Sequence, residues 1–263
     1  KAGHVHFMYK EILEQTEVIE RTISGRIETT YEEIPIKLDE ASKYEKIWIV
    51  ACGTAYHAGL FGKDLFEKVL GVPVSVELAS EFRYREPIVG KNDLGIVISQ
   101  SGETMDTIAA TELLKENGAH VLALVNVVGS SLARMADSIF YLHVGPEIGV
   151  ASTKAYLGML VGQLLLAKHW DSTNKLDVSF DEIAELPKLI EQTMACEKQI
   201  KDISEKIYKK NDIYFIGRGL DYALAAEGAL KLKEISYLHA EALAAGELKH
   251  GTLALIENGT PII

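Results

Sequence analysis

The feature that most constrains the fold is an apolar strand pattern that leads into a glycine-containing turn and a helix, and that occurs twice. The segment 47–53 reads Ile-Trp-Ile-Val-Ala-Cys-Gly, and the segment 213–219 aligns with it as Ile-Tyr-Phe-Ile-Gly-Arg-Gly. Helical periodicity follows the first copy over residues 56–70. Because successive parallel strands must be joined by a crossover, usually a helix, this repeat indicates parallel sheets covered by helices.

Further strands and helices alternate around the two copies. We predict strands at 74–76, 94–99, 120–125, 138–144 and 261–263, helices at 7–23, 101–118 and 152–170, and a long amphipathic helix at 180–210. The predicted fold is α/β, with lobes at 1–172 and 173–263, each a parallel sheet between helices in three α/β/α layers. The second lobe is predicted to be incomplete, ending at its second strand. Since residue 1 is not Met, we expect a piece of a longer protein.

Composition and charge argue against several classes of function. The chain carries 38 acidic and 27 basic residues, a formal net charge of -11, without a block of lysines or arginines, so neither nucleic-acid nor membrane binding is predicted. Two cysteines, Cys52 and Cys196, offer neither a disulfide framework nor a metal-binding spacing. We therefore predict that the protein is located in the reducing cytoplasm and uses no metal or other cofactor. The longest apolar stretch, 155–167, is shorter than the roughly 20 residues of a membrane span.

Two turns of the first lobe are candidates for binding a phosphate. Each follows a predicted parallel strand and opens a helix, where backbone N-H groups lie beside the positive end of the helix dipole. The first turn is Cys52-Gly53-Thr54, and the second, 99–104, reads Ser-Gln-Ser-Gly-Glu-Thr. Neither turn contains a lysine, so an anion would rest on neutral hydrogen-bond donors. The alternative is that the hydroxyl side chains only cap the helices.

These turns resemble the sugar isomerase (SIS) family, and three further segments narrow the resemblance. Residues 147–155 (Glu-Ile-Gly-Val-Ala-Ser-Thr-Lys-Ala), 227–235 (Glu-Gly-Ala-Leu-Lys-Leu-Lys-Glu-Ile) and 246–251 (Gly-Glu-Leu-Lys-His-Gly) are similar to the isomerase region of glutamine:fructose-6-phosphate amidotransferases. The similarity extends over essentially the whole chain. It implies two SIS-type lobes and the conversion of fructose 6-phosphate to glucosamine 6-phosphate in amino-sugar biosynthesis, with ammonia supplied by a separate glutaminase domain.

The resemblance also implies roles for individual residues. The sugar phosphate would be bound by Cys52, Gly53, Thr54, Ser99, Gln100, Ser101, Thr104, Val150 and Ser152. Glu234 would move a proton between C1 and C2 of the sugar, Lys231 would assist near the sugar oxygens, and His250 of a neighbouring subunit in a homodimer would help to open the ring. Because the site would borrow His250 from a neighbour, the chain alone is expected to dimerise. It is also expected to be inactive or impaired, because the family's imine-forming lysine lies beyond residue 263.

The residues themselves leave plainer alternatives open. Lys231 and Glu234 are three residues apart on a predicted helix, a spacing shared by ordinary solvated ion pairs. His250 alone would be read as a surface histidine, Cys52 as a small buried residue, and His57 as structural.

Two departures and two rival functions accompany the resemblance. Ala55 stands where a serine is usual beside the phosphate, and Thr252 where a proline commonly follows the His-Gly pair. A fructosamine-phosphate deglycase would share the turns and the carboxylate. A non-catalytic sugar-phosphate sensor usually carries a DNA-binding helix-turn-helix, and residues 1–44 show no basic recognition helix.

Overall fold

The computed structural model describes residues 3–27 and 34–263, and the strands of that part form two parallel sheets. The first sheet has the order β2-β1-β3-β4-β5, and the second pairs β6 with β7. The strands are β1 (Lys46–Ala51), β2 (Val74–Leu78), β3 (Asp93–Ser99), β4 (His120–Val125), β5 (Ser138–Tyr141), β6 (Asp212–Gly217) and β7 (His239–Ala244). The predicted α/β fold with parallel sheets is confirmed.

Helices cover both faces of the first sheet. The helices are α1 (Phe7–Leu13), α2 (Gln15–Ile23), α3 (Leu38–Ala41), α4 (Gly53–Leu70), α5 (Ala79–Phe82), α6 (Met105–Glu116), α7 (Ser131–Met135), α8 (Lys154–Trp170), α9 (Phe180–Ala184), α10 (Leu186–Met194), α11 (Glu197–Ile207) and α12 (Leu220–Ser236), with 3-10 turns at Glu247–His250 and Thr252–Leu255. Along β1, Ile47 and Ile49 enter one buried cluster, while Trp48 and Val50 enter another on the opposite face. Burial on both faces explains why this strand is a continuous apolar run.

The internal repeat predicted from the sequence is present as two strand-helix-strand units. In the first unit β1 pairs with β2, with Ile47 opposite Val74, and in the second β6 pairs with β7, with Asp212 opposite His239. The two paired residues are equally far apart along the chain in both units. The division into lobes at residues 172 and 173 stays a prediction.

The prediction that residues 261–263 are the second strand of the second lobe is wrong. Strand β7 precedes them, and they lie on the other side of β6, where Ile263 N donates to Tyr214 O at 2.8 Å and Ile216 N to Ile263 O at 2.9 Å. The sequence of β7, His-Ala-Glu-Ala-Leu-Ala, is rich in residues that favour helices. Pairing with β6 overrides that local preference.

The predicted long helix at 180–210 is also wrong, because the structure has three helices there. The helical conformation is interrupted at Glu185, between α9 and α10, and again at residues 195–196, before α11. Pro187 lies in the first turn of α10, where its missing N-H costs no helical hydrogen bond. Within the described ranges, no helix is long and apolar enough to cross a membrane.

Candidate functional site

A cleft lies at the carboxyl ends of β1 and β3, where α4 and α6 begin. Its volume is about 150 Å³, and its lining is Cys52, Thr54, Ala55, Ile98, Ser99, Gln100, Ser101, Thr104, Ser152 and Met159. Most of the predicted substrate-binding residues therefore come together. Gly53 begins α4 at the cleft's edge, and Val150 lies elsewhere. None of the described lining residues is Lys or Arg, so the cleft offers an anion only neutral donors.

The turn at 99–104 is held by its own hydroxyl groups. Ser99 Oγ accepts a hydrogen bond from Gly102 N at 3.0 Å and lies 3.0 Å from Thr104 Oγ1. Gly102 has φ +66°, a backbone conformation that residues other than glycine rarely adopt. A Cβ at this position would clash with Ser130 Oγ. The position thus requires glycine, and the turn keeps its hydroxyl groups in one arrangement.

The helices that begin at the cleft are not capped by side chains. Cys52 is the N-cap residue of α4 and Thr104 that of α6, and neither side chain accepts a capping bond within the described structure. Thr104 Oγ1 instead meets Ser99, so the capping alternative does not describe its role here. Uncapped N-H groups at two helix starts, beside hydroxyl groups, form a favourable environment for a phosphate.

The second side of the site is α12, which carries Lys231 and Glu234. Lys231 Nζ donates to Glu234 Oε2 at 2.5 Å and to Thr54 Oγ1 at 3.0 Å. The Lys231 side chain is 17% exposed, unlike that of an ordinary solvated helix pair. The ammonium group therefore links a cleft residue to the carboxylate of Glu234.

Sequence reasoning missed Glu227, a buried carboxylate at the centre of these contacts. Thr54 Oγ1 donates to Glu227 Oε1 at 2.8 Å, Lys231 Nζ lies 3.3 Å from the same oxygen, and His57 Nδ1 lies 2.8 Å from Glu227 Oε2. The available signal was spacing, since Glu227, Lys231 and Glu234 recur on one face of a helix. Nothing in the local sequence indicates that α4 supplies their partners.

Two pKa shifts report on the electrostatics around the cleft. Hydrogen bonds from the side chain and the backbone N-H of Ser131 lower the pKa of Glu103, which keeps this carboxylate charged and directed toward α7. Burial, with a smaller contribution from the charge of Glu227, raises the pKa of Tyr156. That phenol is therefore neutral at physiological pH.

A second depression, of about 640 Å³, lies between Glu234 and α1. Its lining is His6, Phe7, Met8, Tyr9, Ile12, Ile148, Gly149, Val150, Ala151, Glu234, Ile235 and Tyr237. Val150 is 98% exposed there. The structure thus places Val150 with Glu234 rather than with the hydroxyl groups of the cleft.

The loop that carries Val150 and Ser152 is held by two carboxylates. Glu11 Oε1 accepts hydrogen bonds from Ile148 N at 2.6 Å and Gly149 N at 3.1 Å. Glu147 accepts from Ser152 Oγ at 2.8 Å. A buried residue of α1 therefore fixes a loop that borders both depressions.

We expect Glu11→Ala to lower the free energy of unfolding by about 2–3 kcal/mol, because it leaves two backbone N-H groups unpaired beside a new cavity. Urea denaturation of this chain would measure the change. Glu17→Ala is the matched control: the Glu17 side chain is 73% exposed and its Oε2 lies 3.9 Å from Arg21 NH1, so the expected change is below about 0.5 kcal/mol. Equal losses in the two variants would contradict this account of Glu11.

His250 occupies the last position of the 3-10 turn Glu247–His250, which packs against β7. Neither depression includes it among the described lining residues. A single chain therefore does not bring His250 into the lining with the other predicted site residues.

Comparisons with known proteins agree on one family. A model of the SIS domain matches residues 41–168 and 206–263. The chain is 51% identical over 273 residues to a glutamine-fructose-6-phosphate aminotransferase (isomerizing) of Clostridium tetani, and 50% identical over 277 residues to that of Clostridium acetobutylicum. Each match covers 100% of the chain but 45% of the relative. The C-terminal domain of glucosamine-fructose-6-phosphate aminotransferase from Francisella tularensis has a TM-score of 0.85 and 40% identity, covering 99% of this chain and 76% of that one.

Proposed function

This chain belongs to the SIS domain family, and we propose that it is the isomerase part of an enzyme that converts fructose 6-phosphate and glutamine-derived ammonia to glucosamine 6-phosphate. One observation carries the proposal: Lys231 bridges Thr54 of the hydroxyl-lined cleft and the carboxylate of Glu234, at 3.0 and 2.5 Å. Lys231 thereby links the proposed phosphate site to the proposed base. The similarity of the whole of this chain to part of the glutamine-fructose-6-phosphate aminotransferases supports the choice of substrate.

In this proposal the cleft binds the phosphate group. Ser99, Gln100, Ser101 and Thr104 supply hydroxyl and amide groups, and the first turns of α4 and α6 supply backbone N-H groups. Thr54 lines the same cleft, but its hydroxyl proton is donated to Glu227, so it connects the phosphate site to α12. Neutral donors in a chain of net charge -11 must act at short range, because the overall field repels an anion. Ser152 on the cleft's rim and Val150 beside Glu234 would contact the sugar.

The proton transfer is assigned to Glu234. Isomerisation requires a proton to leave one sugar carbon and return to its neighbour, and one carboxylate placed between the two carbons can perform both steps. Lys231 donates to Glu234, which orients the carboxylate of the base, and the same ammonium group would stabilise negative charge that develops on the sugar oxygen.

Several partners belong to the same proposal. A glutaminase domain would supply ammonia, and a second copy of the chain would contribute His250 to open the sugar ring. We place the enzyme in the cytoplasm, where the free thiols of Cys52 and Cys196 would remain reduced. That residues 1–263 alone are inactive or impaired also stays a prediction.

Product analysis of the full-length protein tests the proposed function. With fructose 6-phosphate and glutamine, we expect glucosamine 6-phosphate and glutamate. A fructosamine-phosphate deglycase would instead consume a sugar-amine phosphate, and a non-catalytic sensor would bind the sugar phosphate without forming product. Either result would contradict the proposal.

We expect the double substitution Ser101→Ala, Thr104→Ala to weaken fructose 6-phosphate binding by at least about 100-fold, because hydrogen bonds to a charged phosphate contribute roughly 1.5–3 kcal/mol each. Titration calorimetry on the full-length protein would measure the affinity. Ser172→Ala, Thr173→Ala is the matched control in the polar stretch after α8, and should leave the affinity unchanged. Unaltered binding by the Ser101, Thr104 variant would exclude the cleft as the phosphate site.

A further inference from the structure

His57 has no role in the function proposed above, yet it contacts the group at the centre of the site. It lies on α4 three residues after Thr54, so the two side chains share a face of that helix. Its Nδ1 atom is 2.8 Å from Glu227 Oε2, and Thr54 Oγ1 is 2.8 Å from Glu227 Oε1. α4 thus meets both oxygens of one carboxylate on α12.

The burial of Glu227 makes both contacts necessary. The residue is 4% exposed, and a buried carboxylate is costly unless each oxygen is hydrogen-bonded. Carboxylate oxygens accept hydrogen bonds, so we assign the proton of this contact to His57 Nδ1. The contact thereby gives the imidazole ring a fixed direction.

Holding one carboxylate oxygen determines where the other lies. The last torsion of a glutamate is broad and poorly restrained by itself, so a bond to Oε2 sets the plane of the carboxylate. Oε1 then receives the Thr54 hydroxyl and lies 3.3 Å from Lys231 Nζ, which in turn donates to Glu234 at 2.5 Å. Without His57, only the contacts at Oε1 would restrain the plane of the carboxylate.

We propose that His57 is a positioning residue, which acts through Glu227 to hold Lys231 and Glu234 in their working arrangement. This inference rests on the proposed isomerase function. His57 is outside the lining of the cleft, so it sets the geometry of the base and its ammonium partner without contacting the phosphate site. Its loss should consequently reduce turnover more than substrate binding.

Three substitutions at His57 separate the hydrogen bond from the bulk of the ring. Asn places an N-H donor near the position of Nδ1, Gln places its donor near that of Nε2, and Ala removes the donor altogether. In full-length protein with saturating glutamine, we expect His57→Gln and His57→Ala to lower kcat about tenfold or more, as loss of one hydrogen bond to a charged group does. KM for fructose 6-phosphate should change less than about threefold, and His57→Asn should retain kcat within about threefold.

The matched control is His239→Ala. His239 also pairs with a carboxylate, with Nδ1 2.7 Å from Asp212 Oδ1, but this pair is exposed at the start of β7. It should leave kcat unchanged. If His57→Asn were as slow as His57→Ala, or if His57→Gln and His57→Ala kept wild-type kcat, the positioning role would be wrong.

A measurement without substrate keeps this result distinct from the proposed function. In a ¹⁵N spectrum of the imidazole groups, His57 should carry a proton on Nδ1, and Glu227→Ala, which removes the acceptor, should remove that preference. An Nε2-H form in the wild-type protein would overturn the inference whatever reaction the enzyme performs. Absence of glucosamine 6-phosphate from the wild-type assay would overturn the proposed function instead, together with the assignment of His57 to it.

Discussion

Replacing Glu234 with Gln is expected to lower kcat for glucosamine 6-phosphate formation about 10³-fold, while fructose 6-phosphate affinity changes less than about threefold. Gln has the shape of Glu but cannot accept a proton from carbon, and general base catalysis contributes roughly 10²–10⁴-fold. The amide oxygen can still accept the hydrogen bond from Lys231, so the local packing is retained. Steady-state kinetics and titration calorimetry on the full-length protein would measure the two quantities separately.

Glu241→Gln is the control for this prediction. Glu241 is an exposed glutamate on β7 and lines neither depression, so the kcat of the Glu241→Gln variant should match that of the wild type. Undiminished turnover in Glu234→Gln would remove Glu234 from the mechanism. A parallel loss of binding would assign it to substrate contact rather than to proton transfer.

The second large effect is expected for Gly102→Ala. The new Cβ would lie 2.1 Å from Ser130 Oγ and 2.5 Å from Ser130 Cβ, in a backbone conformation of φ +66°. The turn must therefore shift, which breaks the bond from Gly102 N to Ser99 Oγ and displaces the groups proposed to bind phosphate. We expect the free energy of unfolding to fall by about 3 kcal/mol, from backbone strain and overpacking together, and sugar-phosphate affinity to fall at least about 100-fold.

Two variants separate the clash from the backbone strain. Gly71→Ala, at the end of α4, has φ +71° with no atom within 4 Å of the new Cβ, so it should cost about 1 kcal/mol and leave affinity unchanged. Adding Ser130→Gly to Gly102→Ala removes both close contacts and should recover much of the lost affinity. Urea denaturation and calorimetry test both variants, and a double variant as weak as Gly102→Ala alone would refute the clash.

The elements that sequence reasoning predicted correctly are those whose signals are local. The apolar strands β1, β3 and β4 end in turns whose glycines and hydroxyl residues follow directly in the chain. Such turns lie at one edge of a parallel sheet, and the pairing of β1 with β3 brings Thr54 near Ser99 and Thr104. The helix face shared by Lys231 and Glu234 was equally a matter of spacing.

The errors share a different physical origin. Strand β7 has the composition of a helix, and only its pairing with β6 makes it a strand. The interval 180–210 has continuous amphipathic periodicity, yet the structure interrupts it at Glu185 and at residues 195–196. At β7 that pairing outweighs helix propensities of a few tenths of a kcal/mol per residue, and α9 and α10 pack against α2, which lies far away along the chain.

The sequence by itself determined the α/β class, the repeated strand and turn at 47–53 and 213–219, and the turns of the cleft, because each depends on residues adjacent in the chain. Only the tertiary structure decided that Glu227 is buried against Thr54 and His57, and that Glu11 holds the loop of Val150. These contacts join residues more than a hundred positions apart. Their partners are selected by the packing of α12 on α4 and of α1 beside the 148–152 loop, which no local pattern encodes.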